Sequence, residues 1–159
     1  METETAISYH DWEPATPVAS DTILAVIFGN ALFLAVGKGG TVRTSVDGTR
    51  WTQQNSTVTA DLYGACWSPH KSVFVISGDR GTILTSPDGV TWTKQSSGAD
   101  AYALSAVVWS EAIKLFVVVS GTSQLLISAD ASTWNPQNVG SRNRRGVCWS
   151  DHLGLFLYA

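Results

Sequence analysis

In this 159-residue chain the residues suited to chemistry are few and scattered. Ser141-Arg142-Asn143-Arg144-Arg145 places three guanidinium groups within five residues, the densest positive patch in a chain of net charge -3. Such groups grip carboxylates or phosphates bidentately. Cys66 and Cys148 each directly precede a Trp, and His70 and His152 each follow the same Trp by three residues. A zinc site needs closer ligand pairs than these. The cysteines therefore read as small buried apolar residues, and the histidines as residues of exposed turns. The only glutamates are Glu2, Glu4, Glu13 and Glu111, and His10 stands alone. There is no nucleophile elbow, zinc-protease helix, phosphate-binding loop or glycine-rich dinucleotide turn. The expectation is no catalytic residue, no metal and no cofactor.

Composition narrows the class further. Hydrophobic residues make up 44% and charged residues 14%, which excludes a disordered or polybasic chain. The slightly acidic balance gives no reason to expect a nucleic-acid partner. No apolar run approaches the roughly 18 residues of a membrane helix, so no membrane partner is expected. Residues 1–11 show no basic segment followed by an apolar one, hence no visible signal peptide. Two cysteines make no disulfide framework.

What must position any functional residue is a repeat. Ser45-Val46-Asp47-Gly48-Thr49-Arg50-Trp51 recurs as Ser86-Pro87-Asp88-Gly89-Val90-Thr91-Trp92 and Ser128-Ala129-Asp130-Ala131-Ser132-Thr133-Trp134, with the tryptophans 41 and 42 residues apart. Cys66-Trp67-Ser68, Val108-Trp109-Ser110 and Cys148-Trp149-Ser150 recur at 42 and 40. Trp12 falls 39 residues before Trp51, so all seven tryptophans follow one period. A period near 41 with short β-rich runs and glycine-containing turns points to four strands per repeat, a, b, c and d, the unit of a propeller blade. In the second repeat these are Leu62 to Ser68, Val73 to Ser77, Thr82 to Ser86 and Thr91 to Gln95. Tight hairpins join b to c through Gly37-Lys38-Gly39-Gly40 and Gly78-Asp79-Arg80-Gly81.

The Ser-x-Asp-Gly-x-x-Trp segment reads as the c-to-d turn. Its Ser and Asp oxygens accept backbone N–H groups, Gly takes a left-handed position, and Trp packs against the sheet. Ser45, Asp47, Gly48, Trp51, Ser86, Asp88, Gly89, Trp92, Ser128, Asp130 and Trp134 are thus structural. Ala131 stands where the other copies have Gly, so the third turn is expected to relax, or to cost about 1–2 kcal/mol, and to be the loosest. Trp67, Trp109 and Trp149 are expected to fill the space between sheets, with Val26 or Phe28 in that place in the first repeat.

These turn and anchor motifs resemble Asp-box, or BNR, repeats, known from sialidase-type propellers, photosystem II assembly-factor-like proteins and bacterial or phage surface proteins. The resemblance covers nearly the whole chain and implies an all-β propeller. It also implies that the boxes lie away from a ligand site, and it names no activity. A sialidase would need three arginines on the substrate carboxylate, a Tyr nucleophile with a Glu partner, and an acid/base. Arg43, Arg50, Arg80, Arg142, Arg144 and Arg145 do not recur at matching positions, and the box acids Asp47, Asp88 and Asp130 are committed to turns.

The expected architecture is three complete blades of four antiparallel strands over residues 22–54, 62–96 and 103–137. A fourth blade is expected to be split between the termini, with residues 4–14 supplying two strands and 146–158 the other two. Closure within one chain, closure between two chains as a homodimer, and a fragment of a longer propeller all remain open. The resemblance implies rings of six to eight blades rather than four, so closure between two chains into an eight-bladed ring is the sharper expectation, and open strand edges favour some form of completion.

The b-to-c hairpins and the d-to-a crossovers emerge on one face of such a fold, and the crossovers vary most among the repeats. Binding concentrates in variable loops on a rigid scaffold. The candidate ligand-binding residues are therefore Lys38, Tyr63, Asp79, Arg80, Tyr102, Arg142, Arg144 and Arg145. The sequence reads as a non-enzymatic binding or assembly module for a glycan or protein, with a self-assembling structural part as the alternative and a glycosidase third.

Overall fold

The computed structural model describes residues 21–122, 124–140 and 144–159. The expected strands in residues 4–14, and Trp12 with them, lie outside the described residues. Fourteen strands are present among those described, grouped in antiparallel sheets. The first sheet runs β1 (Ile23–Gly29), β2 (Leu32–Gly37), β3 (Val42–Ser45) and β4 (Thr52–Gln54). The second runs β5 (Leu62–Ser68), β6 (Val73–Gly78), β7 (Ile83–Ser86) and β8 (Thr93–Gln95). The third runs β9 (Leu104–Ser110), β10 (Leu115–Ser120), β11 (Gln124–Ser128) and β12 (Asn135–Asn138). A hairpin of β13 (Val147–Ser150) and β14 (Leu155–Tyr158) follows. Each four-stranded sheet pairs its strands in sequence order, the meander of a propeller blade. No helix among the described residues is long and apolar enough to cross a membrane.

The second and third sheets are buried on both faces, which explains the unbroken apolar runs of their second strands. Alternate residues face opposite ways. Phe74 and Ile76 of β6 point back into a core with Leu34, Val36 and Val42 of the first sheet, whereas Val75 points forward into a core with Trp109, Phe116 and Val118. The same alternation sends Val117 and Val119 of β10 forward onto Val147 and Phe156 of the last hairpin. Phe28, Trp67, Trp109 and Trp149 hold the equivalent backward position on the first strands. Trp67 and Trp109 occupy cores between sheets, each 4.4 Å from the Phe of its own second strand. Gly29 makes room for the first of these, since a Cβ there would stand 2.4 Å from the Cβ of Trp67. Cys66 also packs between sheets, and burial pushes its thiol pKa well up. Cys148 does not share that fate. It is exposed, because its side of the last hairpin has no described sheet against it.

The Ser-x-Asp turns repeat atom for atom. Ser45, Ser86 and Ser128 each accept an N–H from the residue three positions on, at 2.9, 2.8 and 2.9 Å. Asp47, Asp88 and Asp130 each accept two more through Oδ1, at 2.7–2.9 Å. The tryptophan Nε1 then donates to the carbonyl of Gly48, Gly89 or Ala131, which holds Trp51, Trp92 and Trp134 before the fourth strand. Consequently β8 starts at Thr93, two residues later than expected. These backbone donors stabilise the carboxylate form. They bring Asp88 down to about 2 and hold Asp47 and Asp130 well below the usual range.

The third turn is not relaxed, contrary to expectation. Ala131 adopts φ 64° with the same hydrogen bonds, and its methyl is buried. Its neighbours supply the reason. A Cβ on Gly89 would come within 2.7 Å of Leu32 Cδ2. One sheet further on, Leu32 is replaced by the shorter Val73, which packs against the cluster containing Ala131. Gly89→Ala should therefore lower stability by about 1–2 kcal/mol from backbone strain alone, and Leu32→Val on that background should recover part of the loss in a denaturant-melt double-mutant cycle. A second expectation concerns acid. The turn carboxylates are more acidic folded than unfolded, so their contribution is complete above about pH 4 and fades as the pH falls through about 2. The stability gap between wild type and Asp88→Asn, measured by urea melts, should be open at pH 7 and narrow between about pH 4 and pH 2.

Candidate functional site

The b-to-c hairpins and the crossovers share one face and are tied to each other by the backbone. Gly39 N–H donates to Asp61 Oδ1 at 2.9 Å, Asp79 N–H to Asp61 O at 2.7 Å, and Gly81 N–H to Tyr102 O at 2.7 Å. Ser56, buried in the first crossover, donates to Gly40 O at 2.6 Å. Each crossover is thereby pinned to a hairpin before it enters the next sheet. The face is a fixed platform rather than a set of loose loops.

At the entry of the first strand of each four-stranded sheet the chain carries one extra residue. The registers skip Leu24 between Ile23 and Ala25, Tyr63 between Leu62 and Gly64, and Ser105 between Leu104 and Ala106. A bulge of this kind re-aims its side chain out of the regular alternation. All three residues line one cavity of about 590 Å³. Arg145, four residues before Trp149 as Ser105 is before Trp109, lines it too. Gly64 permits the crowding beneath, since its Cβ would meet the Cα of Ala106 at 3.0 Å. Tyr102 and Thr122 complete the polar part of the wall, and Ala101 and Ala103 the apolar part. The Tyr63 hydroxyl has its pKa raised by burial first and then by the negative charges of Asp79 and Asp61. It is accordingly a protonated donor at neutral pH. Arg145 places an exposed guanidinium in the same cavity.

The candidates thus separate. Tyr63, Tyr102 and Arg145 come together in the cavity. Lys38, Asp79 and Arg80 lie at the hairpins outside it, with Arg80 Nε 4.0 Å from Asp79 Oδ2. Arg142 lies outside the described residues. Arg144 is corrected outright: it is 1% exposed, donates to the carbonyls of Thr122, Val139 and Gly140 at 2.8–2.9 Å, and lies 4.7 Å over the ring of Tyr158. It is a structural tie between the third sheet, its crossover and the last hairpin. Two other arginines are similarly engaged, Arg43 with Asp21 and Arg50 with Asp47 of its own turn. Leu24, Ser105 and Thr122 were missed by the sequence reading. For Leu24 and Ser105 the available signal was the position four residues before Phe28 or a strand-a Trp, which varies among otherwise uniform repeats; Thr122 lies in the b-to-c connection and had no such signal.

On the opposite face, His70 stacks on Trp109 at 6.2 Å, and Trp109 Nε1 donates to Glu111 at 2.7 Å. Lys114 pairs with the same carboxylate and, followed by Trp109, lowers its pKa. No group of three or more His, Cys, Asp or Glu side chains placed to hold a metal ion occurs among the described residues.

Residues 10–144 match the family model described as the DUF6242 beta propeller domain. The chain belongs to this family. A search of curated proteins gives no match. Solved structures share the fold at low identity. YCF48 from Cyanidioschyzon merolae is 15% identical with a TM-score of 0.61, over 76% of this chain and 38% of that one. The WD40 beta propeller domain of Doa1 is 15% identical with a TM-score of 0.65, over 88% and 49%. The Niastella koreensis GH74 enzyme is 18% identical with a TM-score of 0.62, over 78% and 19%. The chain spans less than half the length of each of these structures.

The two adjacent arginines should respond oppositely to truncation. Arg144→Ala removes charge-assisted hydrogen bonds worth about 1.5–3 kcal/mol each when broken at a buried site, so it should lower the melting temperature and speed amide exchange in β13 and β14. Arg145→Ala should leave both unchanged.

Proposed function

We propose that this DUF6242 propeller is a non-enzymatic binding or assembly module that recognises a glycan or a protein surface at the cavity of its loop-rich face. The observation that carries the reading is the set of strand-entry residues, three of them re-aimed by bulges. Leu24, Tyr63, Ser105 and Arg145 occupy equivalent places, converge on one cavity, and differ completely in chemistry. Repeat positions that serve packing keep their character, as the strand-a tryptophans do. Positions that diverge on a fixed platform are where selectivity resides. Two tyrosine rings offer stacking surfaces, and a hydroxyl and a guanidinium offer directional donors.

In this reading the Ser-x-Asp turns are Asp boxes with a purely structural role. Their carboxylates are poor proton carriers near neutral pH, being engaged by backbone N–H groups and held at low pKa. Glu111, the remaining described glutamate, is paired with Lys114 and Trp109 on the other face. This favours binding over glycoside hydrolysis, which needs a raised-pKa acid beside a second carboxylate.

Two probes test the proposal: an array of neutral and acidic oligosaccharides, and a displayed random-peptide library panned on the chain. The expected result is a defined ligand class from one of them, with binding weakened at least about tenfold, or about 1.4 kcal/mol, by Tyr63→Ala, Tyr102→Ala or Arg145→Ala. Arg80→Ala should have little effect. No ligand from either probe, or binding indifferent to the three cavity substitutions, would overturn it.

A further inference from the structure

Every sheet-to-sheet contact within the chain has the same two sides. The earlier sheet offers the forward residues of its second strand, and the later sheet offers the backward residues of its first strand. The forward position is Leu34 in β2, Val75 in β6 and Val117 in β10, all buried by the sheet that follows. In β14 the same position is Leu157, and it is 51% exposed, beside exposed Leu155 and Cys148. The backward position is Trp67 in β5 and Trp109 in β9, the latter 9% exposed. In β1 it is Phe28, 61% exposed, beside exposed Val26. The described array therefore carries one uncovered forward face and one uncovered backward face, the two complementary halves of a contact that the chain already makes internally. No comparable packing joins β1 to β13.

We propose that two copies of this chain associate head to tail, with the last hairpin of each copy packing through Leu157, Leu155 and Cys148 on the first sheet of the other through Phe28 and Val26. The partner is a second copy because each copy brings both halves, so two identical contacts form together and the assembly closes under two-fold symmetry. The internal contacts provide the template. Large apolar side chains at both positions would leave water, as their equivalents do in the internal contacts. The turn after the first strand follows the same pattern. His70 stacks on the Trp of the following sheet, and His152, its equivalent in the last hairpin, is exposed at the end where the other copy's Phe28 would lie.

Light scattering or sedimentation of the 159-residue chain at micromolar concentration should give twice the 17.0 kDa of one chain. Phe28→Asp and Leu157→Asp should each shift the mass to a single chain while retaining a cooperative thermal melt. A mixture of the two variants should regain a two-chain species, because Phe28→Asp keeps an intact forward face and Leu157→Asp an intact backward one. Cys148 should react slowly with a thiol reagent in the wild type and at least about tenfold faster in Phe28→Asp, with half-buried Cys66, packed between two sheets of the same chain, as the internal control. A single-chain mass for the wild type, a species larger than two chains, or a two-chain mass indifferent to both substitutions would each overturn the proposal. So would a single-chain mass with Cys148 protected, which would mean that the chain covers these faces by itself.

Discussion

Burial of each sheet on both faces by its neighbours is the constraint on which the rest depends. A four-stranded sheet with Leu34, Val36 and Val42 on one side gains nothing from them until a second sheet arrives with Trp67, Phe74 and Ile76. The second sheet must then bury Val75 and Ile83 in turn, and it does so under Trp109 and Phe116. Stability in such an array belongs to the contacts between units rather than to the units. Trp67 and Trp109, on the backward faces of their first strands, pack into the first two of these contacts, and Gly29 is there because nothing bulkier fits beside Trp67.

The Ser-x-Asp turns do a different job at the outer end of each sheet. Six acceptor bonds from three aspartates, together with two from each serine, satisfy backbone donors that the turn would otherwise leave unpaired. Their carboxylates are conspicuous in the sequence, yet their chemistry is spent on their own chain. The same holds for Arg144, whose charge is consumed by three carbonyls and a tyrosine ring. Acidic and basic residues that look available in a net-acidic chain are in large part committed to architecture. What remains for a ligand is the cavity, where a bulge in the first strand of each four-stranded sheet turns one side chain out of the packing.

This division of labour fits a family defined by its fold. The DUF6242 propeller match and the low-identity likeness to YCF48, Doa1 and a GH74 enzyme describe a shared scaffold, and a shared scaffold does not name a task. Within this chain the uniform repeat positions hold the scaffold together, and the entry residues Leu24, Tyr63, Ser105 and Arg145 differ from repeat to repeat.

The sequence by itself determined the all-β repeat, its period and the turn chemistry. These are local properties: a Ser, an Asp and a Trp within seven residues can find the same backbone donors whatever surrounds them. It also placed Tyr63, Tyr102 and Arg145 on the loop-rich face. Tertiary structure alone decided the rest. Whether Ala131 could stand where glycine does depended on Val73 replacing Leu32 one sheet earlier, a contact between residues far apart in the chain. That Arg144 is buried and Arg145 exposed depended on which of two adjacent side chains met the carbonyls of Thr122, Val139 and Gly140. Cys66 and Cys148 share a motif but not an environment, because burial is conferred by the next sheet and not by the residue itself. The bulges that assemble the cavity are register shifts between strands, visible only once the strands are paired.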